Sequence, residues 1–551
     1  MKIVYNNKEV IYLIMASIVL YFFNLPGLKV SIMEARNFIV AREMLSEGNW
    51  IFTTLNGVAR YEKPPMPAWF MTPFISLIGI DSLFAYRLPT SIMATIGVII
   101  CFFFVKDLSK NRELAFFSSI VLGSSFYYSA IRLEGPSDIY THVFMFGAIF
   151  CLNRLFNSSE RKYRYLLYAS IMGGFSILSK GPVSPYALLL PYLISHFIVN
   201  YKRENRVRDI KFTFLFILFS FSIGFSWFMY VKLNDPDTFL AIASKEAGNW
   251  SSYNVRPFYY YWSFFSQNGV WALFSLVALI FYSWLSKRSE FNRVYKQTVY
   301  WTFISLILLS IIPEKKSRYL VPLLIPLAIT TAVFIYETIN NSELKNRILK
   351  YKLHFALYTI PGLIAILSPI IYMYISLDTT IDKVWYISTT ILLTLTGVII
   401  VQNSLKLNFK KAFYGIFVIN LILSSLALYA VNLVDKNPYY KNFNSITLCS
   451  KTPIFSFGQI GPEIIWEYGK IAPELSHSNI VDYSNFFIIT NDYEQIEQLE
   501  YQIEELLKKD IELSKIADID LNKFSGRGKK GYRERLTGDI YEVKIKQRET
   551  N

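Results

Sequence analysis

Cysteine is nearly absent from this sequence, with three in 551 residues. Cys101 and Cys151 fall inside apolar runs, Cys449 lies near the end, and there is no CxxC pair. That excludes a disulfide framework and a thiolate zinc site. Histidine is as scarce: His142, His196, His354 and His477 are scattered, with no HExxH spacing. No metal ligand is assigned and no cofactor is certain, which leaves a divalent metal ion as the one cofactor still open. Charge is also thin, at 18% of residues, against about 25% in soluble domains. No solenoid repeat is visible. What is abundant is apolar and aromatic surface, 53% and 17% of residues. Low, clustered charge with that much apolar surface reads as a polytopic membrane protein. The net charge of +15 sits in short loops between apolar runs, so it marks topology and not a nucleic-acid partner.

A membrane-crossing helix needs about 20 apolar residues. Stretches that meet or approach this run Val10–Leu28, Tyr86–Val105, Leu114–Ala130, Tyr140–Leu155, Tyr165–Leu178, Pro182–Val199 and Phe212–Val231. They continue with Tyr261–Leu285, Val299–Ile312, Tyr319–Tyr336, Phe355–Leu377, Val384–Val401 and Ala412–Val434. The expectation is a mainly α protein of about thirteen spans. No cleavage motif follows the first run, so it reads as a retained span. Alternate loops are basic throughout, for example Lys106, Lys110 and Arg112, then Lys287, Arg288, Arg293 and Lys296. The positive-inside rule makes that side, with the N-terminus, cytoplasmic. An odd number of spans then puts the C-terminus outside.

Residues 1–434 thus form a membrane domain, with a first outer loop at 30–69 that contains a juxtamembrane helix. Residues 435–551 read as a small outer α/β domain, with β-rich runs (PIFSFG, FFIITND, DIYEVKIK) and a helical pattern at Asp492–Lys508. Ser525–Gly531 reads as a flexible basic loop.

The outer loops gather acids with basic residues that run against the positive-inside bias, and an anionic ligand is the simplest explanation. Five places stand out. Ser31 and Glu34 are spaced as a capping box; alternatively Glu34 is a carboxylate held at the membrane surface as a general base. In Tyr61–Pro65 two prolines stiffen a turn that carries Glu62 and Lys63, either as a loop ion pair or as a lysine set to meet phosphate. Arg132, Glu134 and Asp138 lie at a helix end, as a mutual salt bridge or as a ligand site. Lys180 lies in a break between spans, and Lys315, Lys316, Arg318 and Tyr319 in another. Both breaks fit interfacial snorkelling or phosphate binding. Arg256 precedes the aromatic run PFYYYW, which suits interfacial anchoring.

MEARNFIVAREML, YEKPP, LSKGP and KKSRYLVPLLIPLAI, in this order, resemble the bacterial GT-C glycosyltransferases that move 4-amino-4-deoxy-L-arabinose onto lipid A, and their protein O-mannosyltransferase relatives. The resemblance covers about residues 1–434. It implies inverting transfer of a sugar from a polyprenyl-phosphate donor to a lipid or protein acceptor, at the periplasmic face of the bacterial inner membrane, among membrane lipids. A transporter or flippase of lipid-linked sugars is the alternative. The family places an acidic pair before an arginine in its first outer loop. Here the pair reads Met33-Glu34, followed by Arg36, so the implied catalytic carboxylate is Glu34. Arg36, Glu62, Lys63, Lys180, Arg256, Lys316, Arg318 and Tyr319 are the implied donor-phosphate residues. Glu134 or Asp138 matches a second acidic site. The arabinose transferases carry a histidine near the aromatic run; this chain has none, so a zinc site like theirs is not implied.

Overall fold

The computed structural model describes residues 8–546 except 24, 158–161, 201–204, 341–352, 373–379, 435–436, 444–445, 447–451, 477–479, 481–482, 492–495 and 524–530. All of the expected basic loop but Gly531 lies outside the described residues.

Helices fall in each of the thirteen apolar stretches, but Leu114–Ala130, Tyr261–Leu285 and Phe355–Leu377 are each divided between separate helices. Among the described residues, nine helices are long and apolar enough to cross a membrane, from Lys8–Gly27 to Phe409–Leu426. The pair Arg112–Gly123 and Phe126–Glu134, bent by 48°, brings this to ten if it is one span. The bend has a local cause. The hydroxyls of Ser124 and Ser125 turn back onto the carbonyls of Ile120 and Val121, and Ser125 adopts an extended backbone. Serine side chains compete with the backbone ladder in this way. The break is supported by Trp271, whose Nε1 donates to Ser124 Oγ at 2.8 Å, and by a bond between Ser125 and Asn268.

The chain folds as two compact units. The first contains residues 1–28, 61–78 and 82–433; the second contains 29–60, 79–81 and 434–551. The division is not a single cut at 434, because the first outer loop packs with the end of the chain.

In the first unit the Pro136–Asn157 and Lys162–Lys180 helices are stitched together by their own polar groups. Thr141 Oγ1 donates to Ser176 O at 2.9 Å, and Ser176 Oγ to Thr141 O at 2.7 Å. Such bonds give these two buried hydroxyls their partners and join the helices in an apolar setting.

The second unit is built on a four-stranded sheet in the order Ile454–Ser456, Asn485–Thr490, Thr537–Ile545, Ile511–Asp520. A separate hairpin, β1 (Thr54–Leu55) and β2 (Val58–Ala59), turns at Asn56-Gly57. The turn needs positive φ at both residues and has it, 57° and 75°. Strands β3 (Ile454–Ser456), β4 (Asn485–Thr490) and β6 (Thr537–Ile545) fall on the three β-rich runs. Strand β5 (Ile511–Asp520) was not legible: half of its residues are exposed and only two are buried, so no clean alternation marks it. The sheet alternates its two faces. Phe486 and Ile488 meet Leu499, Ile503 and Leu507 of the Ile496–Leu507 helix. Phe487 and Ile489 meet Ile464, Ile465 and Ile39, the last from the Ile32–Ser46 helix of the first outer loop.

Candidate active site

The polar groups of the first unit converge on one buried ion pair. Asp138 sits in the first turn of the Pro136–Asn157 helix, where a carboxylate is favoured by the helix dipole. It accepts from Lys180, the last residue of its own helix. The side chains are 1% and 7% exposed. Gly135 makes room for the carboxylate: a Cβ there would lie 2.5 Å from Asp138 Oδ2. His142, one turn further on, has Nε2 at 3.9 Å from Asp138 Oδ1, and its Nδ1 is hydrogen-bonded to Ser184 Oγ at 2.6 Å.

More cations stand around this pair than it needs for neutrality. Arg318 is within electrostatic reach of both Asp138 and Lys180, and Lys63 of Lys180. Tyr319 presents its ring to three of them, with Lys180 Nζ at 5.5 Å, Lys316 Nζ at 5.7 Å and the Arg318 guanidinium at 5.9 Å from its centroid. Arg318 Nε is buried with no hydrogen-bond partner among the described residues, as is Asp138 Oδ2. A buried donor without an acceptor is costly, and a second anion would supply one.

The late loop shows two lysines with separate work. Lys315 Nζ donates to Arg256 O at 3.0 Å and Ile312 O at 2.6 Å. It thereby pins residues 254–256 against 313–315, which also pair through Val255 and Glu314. Burial pushes the Lys315 amine down from its ordinary value. Lys316 instead pairs with Glu314 at 2.5 Å and lies 4.8 Å over the ring of Tyr253. A cleft of about 580 Å³ opens here, with Glu134, Arg256, Lys316 and Tyr127 on its walls. Glu134 is exposed and Asp138 is not, so the two acids hold different positions: one faces the cleft, the other neutralises buried lysine.

Several expectations are corrected. Arg132 and Asp138 are not a mutual salt bridge. Asp138 pairs with Lys180, and the Arg132 guanidinium lies 5.8 Å over the ring of Tyr21. Lys63 Nζ meets Glu246 Oε2 at 3.7 Å. In the same turn Tyr61 Oη donates to Asp235 Oδ2 at 2.9 Å. Burial, with Asp235 adding to it, pushes the Tyr61 phenol up to about 12. Asp235 is held below its ordinary value by hydrogen bonds from Thr238 and then Tyr61. Tyr127, His142 and Ser184 were missed. His142 carried one signal, its spacing of one helical turn from Asp138.

Glu34 and Arg36 belong to the second unit. The capping box is formed: Ser31 N donates to Glu34 Oε2 at 3.0 Å and Glu34 N to Ser31 Oγ at 3.3 Å. Glu34 is 1% exposed. Arg36 is exposed, and its carbonyl accepts from Arg60 Nη1 at 2.7 Å. The other charges of this helix hold the unit together. Arg42 donates to the carbonyls of Ile465, Trp466 and Lys470. Glu43 accepts from Thr54 Oγ1 and from the amides of Asn56 and Gly57. Burial raises the Glu43 carboxyl above its ordinary value, against the pull of those three bonds. Among the described residues, no three His, Cys, Asp or Glu side chains are grouped to hold a metal ion.

Residues 62–227 match the family of dolichyl-phosphate-mannose-protein mannosyltransferases. An undecaprenyl phosphate-alpha-4-amino-4-deoxy-L-arabinose arabinosyl transferase of Photorhabdus laumondii is 24% identical over 318 residues, 57% of this chain and 56% of that protein. The chain therefore spans little more than half the length of such a relative. In fold the likeness is wider. ArnT from Cupriavidus metallidurans, solved bound to undecaprenyl phosphate, superposes with a TM-score of 0.64 at 14% identity over 97% of each chain. The oligosaccharyltransferase AglB from Archaeoglobus fulgidus, solved with an inhibitory peptide and a dolichol-phosphate, gives 0.50 at 10% identity over 92% of this chain and 71% of that one. The chain has an ArnT-like fold and is a multi-pass membrane protein.

Proposed function

We propose that this chain is a glycosyltransferase that moves a sugar from a polyprenyl-phosphate donor to a lipid, of the lipid A kind, or to a protein. The observation that carries the reading is the gathering of cations around Asp138 and Tyr319. Lys180 pairs with Asp138, Lys316 with Glu314 and Lys63 with Glu246, while Arg318 Nε is buried with no hydrogen-bond partner among the described residues. A donor phosphate fits that cluster, because its charge grows as the sugar leaves and fixed cations stabilise it. The family match, the arabinosyl transferase relatives and the ArnT-like fold support the same donor class.

The reaction is a single displacement. An acceptor oxygen or nitrogen attacks the anomeric carbon while the bond from that carbon to the phosphate oxygen breaks. The electron pair leaves on the polyprenyl phosphate, and the configuration inverts. The acceptor's proton passes to a carboxylate. Glu34 is the proposed base, with Glu62, Glu134, Asp138, Arg36 and Arg256 completing the set of site residues. The proposed setting is the periplasmic face of the bacterial inner membrane, with about thirteen spans, the N-terminus cytoplasmic and an α/β C-terminal domain periplasmic.

The test is transfer by the purified full chain in nanodiscs, supplied with undecaprenyl-phosphate sugars and with lipid A or peptide acceptors, read by mass spectrometry. A glycosylated acceptor and free undecaprenyl phosphate are expected. Movement of intact donor between leaflets without transfer would replace this reading with a transporter. Glu34→Gln keeps the capping acceptor, so it is expected to fold normally and lose transfer. Undiminished turnover would remove Glu34 from the mechanism.

A further inference from the structure

Lys180 ends one helix, and the chain breaks immediately after it. Gly181 takes a left-handed backbone (φ 74°) with open space around its Cα, so the glycine is there for the turn. The Lys180 side chain is buried and paired with Asp138, and the chain on either side of the break is held by two ties, placed symmetrically. Ser176, four residues before Lys180, is bonded to Thr141. Ser184, four residues after it, is bonded to His142 Nδ1 at 2.6 Å. Both partners lie on the helix that carries Asp138, and both ties are buried. They differ in what they span. Thr141–Ser176 joins two regular helices and fixes their packing. His142–Ser184 reaches past the break and fixes the segment beyond it. His142 also faces Asp138 through its other ring nitrogen, at 3.9 Å. One imidazole therefore lies beside the carboxylate that receives Lys180 and is bonded to the segment that follows the break.

We propose that His142 and Ser184 are positioning residues for Lys180: they set the place of its ammonium against the donor phosphate without touching the donor. The proposal rests on the reading of the cationic cluster as a phosphate site. It separates the two ties, since only the one across the break governs ligand affinity.

The experiment measures binding of undecaprenyl phosphate to the full chain in nanodiscs, with KM and kcat for the polyprenyl-linked donor. A misplacement of about 1 Å can cost up to about a hundredfold, so Ser184→Ala and His142→Phe are each expected to weaken binding and raise KM by roughly ten- to a hundredfold. The double variant is expected to be no worse than either single one, because both remove one bond. His142→Asn, whose amide can keep the bond to Ser184, is expected to recover most of the affinity. Thr141→Val is the structural control, expected to lower thermal stability while leaving affinity in place. Wild-type affinity in Ser184→Ala and His142→Phe overturns the proposal, and so does an equal loss in Thr141→Val. If the wild-type chain binds no undecaprenyl phosphate, the phosphate reading of the cluster falls, and this inference with it.

Discussion

Lys180→Met removes a charge and keeps the length and apolar stem of the side chain. The consequence follows from what it leaves behind. Asp138 is 1% exposed on its side chain, and Oδ2 already lacks a hydrogen-bond partner among the described residues. Without the ammonium, Oδ1 keeps only His142 at 3.9 Å and the more distant field of Arg318. Breaking a buried pair by removing one partner costs about 3–5 kcal/mol, nearly all of it from the stranded charge. Asp138→Asn on top of Lys180→Met removes that charge. What remains is an amide short of partners, about 1–3 kcal/mol. The single variant is therefore expected to be less stable than the double one, which is the reverse of additive damage. Thermal unfolding in nanodiscs orders the three proteins. Undecaprenyl phosphate binding is expected to fail in both variants, because the lysine is gone from each. A Lys180→Met protein as stable as wild type, or a double variant worse than the single one, would refute the argument that Asp138 is held charged by Lys180.

The adjacent lysines of the late loop are expected to part company. Lys316→Met removes a charged donor from the cleft and is expected to raise donor KM roughly ten- to a hundredfold, from about 1.5–3 kcal/mol, while Tm holds. Lys315→Met loses two carbonyl bonds and is expected to lower Tm first. The reverse order in these two readouts would overturn the assignment. Glu43 gives a pH signature. Its carboxyl is raised in the folded state by burial, so folding binds the proton more tightly than unfolding does. The stability it contributes is full below the unfolded value of 4.5 and is lost as pH rises through the folded one. Tm of wild type relative to Glu43→Gln is expected to fall as pH rises from 4.5; a relative rise would refute the sign.

The spans were legible because length and apolarity are properties of contiguous residues. The cationic cluster was legible in its members: Lys63, Lys180, Lys316, Arg318 and Tyr319 stood out as cations and an aromatic in loops where the charge bias disfavours them. Their division of labour was not. Nothing in the pair Lys315-Lys316 says which ammonium turns inward to carbonyls and which stays at the cleft. Glu134 and Asp138 are likewise one turn apart, and only burial distinguishes them. Arg42 shows the limit most plainly. Its partners are the carbonyls of Ile465, Trp466 and Lys470, more than four hundred residues away, and backbone carbonyls carry no sequence signal.

That separation has a consequence for how the molecule comes into being. The Ile32–Ser46 helix is made early, yet Ile39, Arg42 and Asn56 have partners in residues 454–540. During synthesis the loop must wait, with its apolar face uncovered, while every later span is threaded into the bilayer. Contacts this remote in sequence form late, and exposed apolar surface in the interval invites aggregation or a holding chaperone. A truncation at 434 would not shed an appendage. It would orphan a helix at the other end of the chain and leave the nascent protein permanently at its half-assembled stage.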